Sequence, residues 1–463
     1  MFKGTGKHIS IAFIAILLRF GVAWLGWNTS LFEAYDNSIT VVYQRSAYLL
    51  AFGYGYQQSL PESPAYYQLD SIITTINLGS NLATNYEITE NGRFNTSHYP
   101  PGLPLIGAGL YKITKIPIAY LYQILGILID LITIYYLYLL ILKISTQKVA
   151  WITAWLYCLS PQAISLSVSM TPDAYMPLLV VATTYYFLQY LEHKSFKYII
   201  IIAIINGLGG YLRSDFILLP FAFNLLFLFR WNQFKLFNIL KFNLAIAVIS
   251  FIILTPWALH NKKTHGEFNP TSTSLGATLI TGLSILPNPW DLGPTDYDRF
   301  AEAKHMGFDT PFESGANYMF TERFKSYIAE EPGYYARTCL YRTGYFLTAP
   351  HGWGLEVDKY AKTYSELRNE GAALGSFSYL LGKYWTQMLS AIFTLISFLS
   401  LFLFMRKHQD LNVKLILIAV FISVYLSHVF IHITSVYLMS LYPIQCFFIA
   451  YMTTNFKFRK VGT

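Results

Sequence analysis

Long apolar runs alternate with short polar segments along most of the chain. An α-helix needs about 20 apolar residues to cross roughly 30 Å of hydrocarbon. Runs of this kind predict about ten (9–13) membrane spans, at residues 8–27, 118–142, 149–168, 173–191, 198–213, 215–230, 238–259, 384–405, 413–432 and 434–453. The first run has no small-residue cleavage site, so we interpret it as a span and not as a removable signal peptide.

Basic residues fill every second gap between the predicted spans. With the N-terminus inside, each inner segment is basic, and the residues concerned are Lys3 and Lys7, Lys143 and Lys148, Lys194 and Lys197, Arg230, Lys235 and Lys241, Arg406, Lys407 and Lys414, and Lys457, Arg459 and Lys460. Short inner loops of membrane proteins carry such an excess of lysine and arginine. The pattern therefore predicts a multi-pass protein with both termini in the cytoplasm.

Two large segments, 28–117 and 260–383, then lie outside the cytoplasm and carry Pro, Gly and polar turn clusters. Within the first, 101–116 is apolar but short, which favours an interfacial or shallow re-entrant helix. These segments divide the chain into an N-terminal transmembrane module with its outer loop (1–259), a large outer loop (260–383) and C-terminal transmembrane helices (384–463). The predicted fold class is an all-α polytopic membrane protein.

Composition agrees with a membrane protein, because 54% of the residues are hydrophobic and 13% are charged. Soluble domains are about 25% charged. The net charge of +8 comes from small clusters between spans, so we predict no nucleic-acid partner. Three cysteines give no disulfide framework. The chain also lacks a Gly-rich phosphate loop, a zinc-spacing cluster and a Ser-His-Asp signature.

Three charged residues near the predicted outer ends of spans are candidates for chemistry. Asp36 is placed to accept a proton from an acceptor hydroxyl, or simply to cap the helix that follows. Asp173, after Thr171 and Pro172, is either part of a site or an acid that suits a helix N-terminus. Arg213 has no basic neighbours, and it either grips a phosphate through paired hydrogen bonds or pairs with Asp215.

Further candidates are less specific. His98 and Tyr99 precede a rigid Pro100–Pro101 turn, which either holds a ligand at the membrane surface or is an ordinary interfacial turn. Arg19 and Asp130 fall inside predicted spans, where charge is costly and is often functional. Snorkelling of Arg19 and hydrogen bonding of Asp130 within the bundle explain them equally well, so neither is given a role.

In this order, these motifs resemble the GT-C superfamily of integral-membrane glycosyltransferases. The likeness is greatest to bacterial members of glycosyltransferase family 39, which include protein O-mannosyltransferase-like enzymes and relatives of the lipid A aminoarabinose transferase. The passage from Thr255-Pro256-Trp257 through His260-Asn261 to His265-Gly266 is the most distinctive part. His260 stands where the family usually has Arg, and His265 where it usually has Phe. Glu331-Pro332-Gly333 followed by Arg342 resembles a later Asn-Pro-Gly…Arg element.

The resemblance implies a GT-C-type helical bundle that transfers a sugar from a polyprenyl-phosphate donor to a lipid, glycan or protein acceptor. By this likeness, Asp36 would be the base, Asp173 would shape the acceptor or metal side, and Arg213 would neutralise the departing phosphate. Other predicted substrate-binding residues are His98, Tyr99, His260, His265 and Arg342. No cofactor is specified, although some relatives use a divalent metal. In a bacterium the membrane would be the inner one, with the site on its extracytoplasmic face and membrane lipids around it.

Proteins of other classes also have many spans. A transporter or flippase of a lipid-linked or anionic substrate often has repeated halves and midplane charges, whereas this chain has no convincing repeat and its candidates gather at span ends. A polysaccharide ligase or polymerase would share the lipid-linked donor but not the Asp36 and Asp173 arrangement. A non-catalytic scaffold predicts that Asp36→Asn leaves function intact.

Overall fold

The computed structural model describes residues 5–28, 38–60, 63–77, 87–293, 295–348, 392–432 and 435–455, most of which are helical. The first eight α-helices are α1 (Thr5–Asn28), α2 (Ser38–Phe52), α3 (Pro64–Asn77), α4 (Gly102–Thr114), α5 (Ile118–Ile144), α6 (Gln147–Cys158), α7 (Pro161–Ser167) and α8 (Met176–His193). The next eight are α9 (Phe196–Gly210), α10 (Leu219–Ala222), α11 (Asn224–Phe229), α12 (Leu236–His265), α13 (Leu275–Leu283), α14 (Asp296–His305), α15 (Ser314–Glu330) and α16 (Pro332–Thr348). The last three are α17 (392–407), α18 (Leu411–Val429) and α19 (Tyr442–Asn455).

Helices occupy the predicted spans, but not all of them are long enough to cross a bilayer. Among the described residues, α5, α12 and α18 have the length and apolarity of a membrane span, and α6 with α7 forms a fourth if the bent pair is counted as one. Shorter apolar helices cover 10–24, 196–210 and 214–229. The chain is thus a mainly helical protein with apolar membrane helices, while the count of about ten spans stays a prediction.

Two predicted spans are broken where we expected continuous helices. Residues 149–168 bend by 61° between α6 and α7, because Pro161 lacks the N–H that would continue the ladder, and the Ser160 side chain caps the new helix. Residues 215–230 begin as a 3₁₀ turn, Ser214–Leu218, and then form α10 and α11. Pro220, in the first turn of α10, likewise has no N–H to continue the preceding turn, and a new helix begins there.

The predicted inner segments meet at one end of the helices. Lys143 after α5 bonds to Glu192 near the end of α8. His408 lies 3.3 Å from the carbonyl oxygen of Ile144. Arg230 likewise donates to Asn412 over 3.0 Å. These contacts agree with the alternation that the basic residues predicted.

The described parts of the two large loops contain short helices and one strand pair. Gln57–Ser59 and Arg93–Asn95 pair antiparallel, which the all-α prediction did not include. α4 has 13 residues, a length of about 20 Å, which is too short to span. In the second loop, α13 to α16 pack around their own apolar cluster, which includes Leu283 and Phe320. α12 continues past residue 259 and ends at His265.

The two charged residues of the predicted spans that were given no role, Arg19 and Asp130, are paired with each other. Arg19 on α1 donates from Nε to Asp130 on α5 over 2.5 Å, and both side chains are buried. The Tyr157 hydroxyl donates to the other Asp130 oxygen over 2.8 Å. The structure therefore supports the hydrogen-bonded interpretation of Asp130, and Arg19 does not snorkel to an interface.

Candidate active site

Arg213 forms the centre of a charged cluster at the end of the helices opposite the basic segments. It follows α9 in an extended conformation and precedes the 3₁₀ turn Ser214–Leu218. Its Nη1 donates to Asp173, which lies in the 3₁₀ turn Pro172–Tyr175 before α8. Its Nε donates to Asp215 Oδ1 over 2.9 Å. Two of the three charged candidates at predicted outer span ends, Asp173 and Arg213, are therefore in direct contact, and Arg213 also forms its local pair with Asp215.

His428 and Tyr437 complete the cluster from the C-terminal part of the chain. His428, in the last turn of α18, has Nε2 3.3 Å from Asp215 Oδ2. The Tyr437 ring lies 3.9 Å from the Arg213 guanidinium carbon and stacks on His428 with ring centroids 4.8 Å apart. Neither residue was predicted. A histidine near the outer end of a predicted span was the available signal, but nothing in the sequence linked it to Asp215.

The charges around Arg213 decide what the cluster can do. Its side chain is 14% exposed, and those of Asp173 and Asp215 are 13% and 30% exposed. One guanidinium thus faces two carboxylates, so it has no spare positive charge. The arrangement fixes the carboxylate of Asp173 in place. It makes Arg213 a weaker phosphate ligand than the sequence suggested.

The same charge balance bears on a metal. No group of three or more His, Cys, Asp or Glu side chains with metal-binding geometry occurs among the described residues. Arg213 already occupies the space between the two carboxylates that would attract a divalent cation. The described residues therefore do not fit the metal that the family resemblance allows.

The turn at residues 98–102 is connected directly to the Arg213 segment. The backbone N–H of Gly102 donates to the carbonyl oxygen of Tyr211 over 2.8 Å. Tyr99 packs against Tyr43 with ring centroids 5.1 Å apart, and Tyr43 is close enough to interact electrostatically with Asp173 and Arg213. Tyr99 is thus separated from the cluster by the ring of Tyr43 alone.

The ring of His98 is enclosed by aromatic neighbours. Its ring lies between those of Tyr99 and Phe312, with centroids 3.7 Å and 3.3 Å away. Desolvation by these neighbours holds the pKa of His98 well below its usual range. His98 thus packs between the two outer loops, and its predicted substrate-binding role stays a prediction.

His260 and His265 belong to a scaffold at the end of α12. His260 stacks on Trp257 with centroids 4.8 Å apart, and the indole N–H donates to the carbonyl of Thr271 over 2.6 Å. Asn261 accepts from Ser97 over 2.7 Å, and His265 bonds to the backbone of Thr96. The contacts hold residues 96–97 beside α12. The predicted substrate-binding role of the two histidines stays a prediction.

Arg342 is fully buried on α16 and donates from Nη1 to the carbonyl oxygen of Val429 over 2.8 Å. This contact brings it to the end of α18, near the cluster but not within it. Asp36, the predicted base, lies outside the described residues. The structure thus joins Asp173, Arg213 and the turn at Tyr99, and it adds Asp215, His428 and Tyr437.

Comparisons with known proteins give one family match and a similar fold. Residues 98–260 match the family described as "Dolichyl-phosphate-mannose-protein mannosyltransferase". The range includes Asp173 and Arg213 and ends at His260. A search of curated proteins gives no significant match.

Among solved structures, the fold is similar to that of the archaeal oligosaccharyltransferase AglB from Archaeoglobus fulgidus in complex with an inhibitory peptide and a dolichol-phosphate. The TM-score is 0.52 and the identity 12%, over 98% of this chain and 51% of that one. Archaeoglobus fulgidus oligosaccharyltransferase in complex with Zn and sulfate has a TM-score of 0.49 and 14% identity, over 96% and 48% of the two chains. This chain spans about half the length of these structures.

Proposed function

We propose that this chain is a membrane glycosyltransferase of the GT-C superfamily, supported by the family match over residues 98–260 and the similar fold, and that it transfers a sugar from a polyprenyl-phosphate donor to an acceptor at the extracytoplasmic face of the membrane. The observation that carries the proposal is the Asp173–Arg213 pair at the end of the bundle opposite the basic segments. Because short inner segments are the basic ones, this end faces away from the cytoplasm. Both residues fall within the family match.

In the proposed reaction, an acceptor hydroxyl attacks the anomeric carbon of the sugar. The new carbon–oxygen bond forms as the bond to the phosphate oxygen breaks, and the electron pair leaves with the lipid phosphate. A carboxylate takes the proton of the hydroxyl, as a general base. We assign this role to Asp36 and assign the acceptor side of the site to Asp173, which Arg213 orients through a direct ion pair.

The departing lipid phosphate gains negative charge, so the site must supply a cation for it. Arg213 is the predicted residue, although Asp173 and Asp215 already neutralise it. No step of the proposal uses a metal. The acceptor class, whether lipid, glycan or protein, is left to experiment, since the peptide and dolichol-phosphate were bound to AglB and not to this chain.

The test is transfer of labelled sugar from synthetic polyprenyl-phosphate sugars by the full chain in reconstituted vesicles. We expect transfer, or hydrolysis of the donor, by the unaltered protein and its loss in Asp36→Asn and Asp173→Asn. Glu33→Gln, three positions before Asp36, is the matched control and should keep full turnover. Equal turnover in Asp36→Asn removes that residue as the base. Absence of turnover with every donor, together with flux of the lipid-linked sugar across the bilayer, would replace the enzyme with a transporter.

A further inference from the structure

Arg342 is a buried cation whose hydrogen-bonding capacity is mostly unused. Its side chain is fully buried, and Nη1 donates to the carbonyl of Val429. Among the described residues, its Nε and Nη2 have no partner. Leaving charged donors buried without acceptors costs free energy. The end of α18 offsets only about half a unit of charge, so the surroundings of Arg342 favour an anion.

The contrast with the other buried arginines supports this interpretation. Arg19 faces Asp130, and Arg213 faces Asp173 and Asp215. The electrostatic neighbours of Arg342 are Cys339, Tyr335 and Tyr334, none of which is a carboxylate. The positive charge of Arg213 is therefore neutralised by carboxylates, whereas that of Arg342 is not.

His432 adds a second donor beside Arg342. The two side chains interact electrostatically, and Nδ1 of His432 is buried without a partner among the described residues. An anion between the two groups would accept hydrogen bonds from both.

An apolar groove begins one helix turn from Arg342. It has a volume of about 270 Å³, lies between α16, α17 and α18, and is lined by Phe346, Phe398, Leu401, Ile418, Phe421, Ile422 and Tyr425. Phe346 is four residues after Arg342, and Tyr425 is four residues before Val429, so each pair shares one helix face. The Thr343 and Tyr425 hydroxyls, 2.9 Å apart, join the two helices between groove and cation.

We propose that Arg342, His432 and this groove form the site for the donor lipid, with its phosphate hydrogen-bonded to the side chains of Arg342 and His432 and its isoprenoid chain in the groove. The inference rests on the proposed function. It transfers the phosphate-binding role from Arg213 to Arg342. The site adjoins the Asp173–Arg213 cluster, because the Tyr437 ring is 6.4 Å from that of His432 and 3.9 Å from the Arg213 guanidinium.

The test measures binding of sugar-free lipid phosphates to the purified full chain in zwitterionic nanodiscs. A long polyprenyl monophosphate and a two-unit isoprenoid phosphate are compared. Arg342→Gln should weaken binding of both by about tenfold or more, since a charge-assisted contact is lost. Arg337→Gln, an exposed position on the same helix, is the control. Leu401→Trp fills the groove and should weaken binding of the long lipid only, whereas Leu399→Trp, which points outward, should not.

The outcomes separate this site from the proposed function. Binding that depends on Arg342 in a protein without transfer activity upholds the site and rejects the function. If the protein transfers sugar but lipid binding is unchanged in Arg342→Gln and Leu401→Trp, the function is upheld and the site is rejected. If an anionic phospholipid displaces the bound polyprenyl phosphate as well as free polyprenyl phosphate does, the site is not specific for the donor lipid and the proposal is overturned. If Arg342→Gln does not fold, Arg342→Lys and the two tryptophan variants decide the question.

Discussion

Arg213 and Asp173 lie 40 positions apart in sequence and form a direct ion pair. The pair joins the turn after α9 to the turn before α8. Because Arg213 also holds Asp215, and Asp215 contacts His428 at the end of α18, one guanidinium connects three parts of the bundle. The cluster is thus a fixed piece of architecture as well as a candidate for chemistry.

Arg213→Gln should destabilise the protein more than Asp173→Asn. Removing the arginine leaves Asp173 without its cation and Asp215 with only His428 beside it, and breaking buried pairs in this way costs about 3–5 kcal/mol. Asp173→Asn leaves Arg213 paired with Asp215, so its main effect should be on transfer. Unfolding in detergent, with the exposed Arg337→Gln as control, measures the difference. Equal losses for both variants would mean that the guanidinium does not hold the cluster together.

Gly102→Ala should disturb the site, whereas Gly109→Ala on the same helix should not. A Cβ on Gly102 would lie 2.5 Å from the carbonyl oxygen of Tyr211, which its own N–H contacts. The clash involves backbone, so the turn at 98–102 must move away from the Arg213 segment. We expect lower melting temperature and lower transfer. A Cβ on Gly109 meets nothing within 4 Å, and alanine there should stabilise α4 by up to about 1 kcal/mol. Full activity in Gly102→Ala would separate this turn from the site.

The approach of Asp173 to Arg213 was predictable because both residues lie near ends of predicted spans on the same side of the membrane. Alternation of spans fixes sidedness, and sidedness limits which residues can meet. His428 and Tyr437 could not be assigned in this way. Their role depends on how α18 packs against the turn after α9, and apolar runs carry no information about which helices are neighbours. The bend between α6 and α7 was predictable from Pro161. We missed it because the apolar run 149–168 is long enough to be one continuous span.

His98→Phe should remove part of the acid sensitivity of the protein. The folded-state pKa of His98 lies well below that of the unfolded chain, near 6.5. Its contribution to stability is therefore complete above about pH 6.5 and is lost as the pH falls, by at most about 1.4 kcal/mol per pH unit. Phenylalanine keeps the stacking on Phe312 and cannot be protonated. Melting temperatures at pH 5 and pH 8 measure the effect, and the exposed His305→Phe is the control. The same pH dependence in both variants would contradict the prediction.

The buried network of Arg19, Asp130 and Tyr157 makes a prediction that does not depend on function. Arg19→Met alone should cost about 3–5 kcal/mol, because it leaves the Asp130 carboxylate buried and unpaired. Combining Arg19→Met with Asp130→Leu and Tyr157→Phe removes the whole network at once, and apolar replacements of buried ion pairs are often neutral or stabilising. The triple variant should therefore be more stable than the single one in detergent unfolding. It should also keep sugar transfer if the network only holds α1 against α5 and α6. A triple variant that folds well but is inactive would instead give this intramembrane pair a part in the reaction.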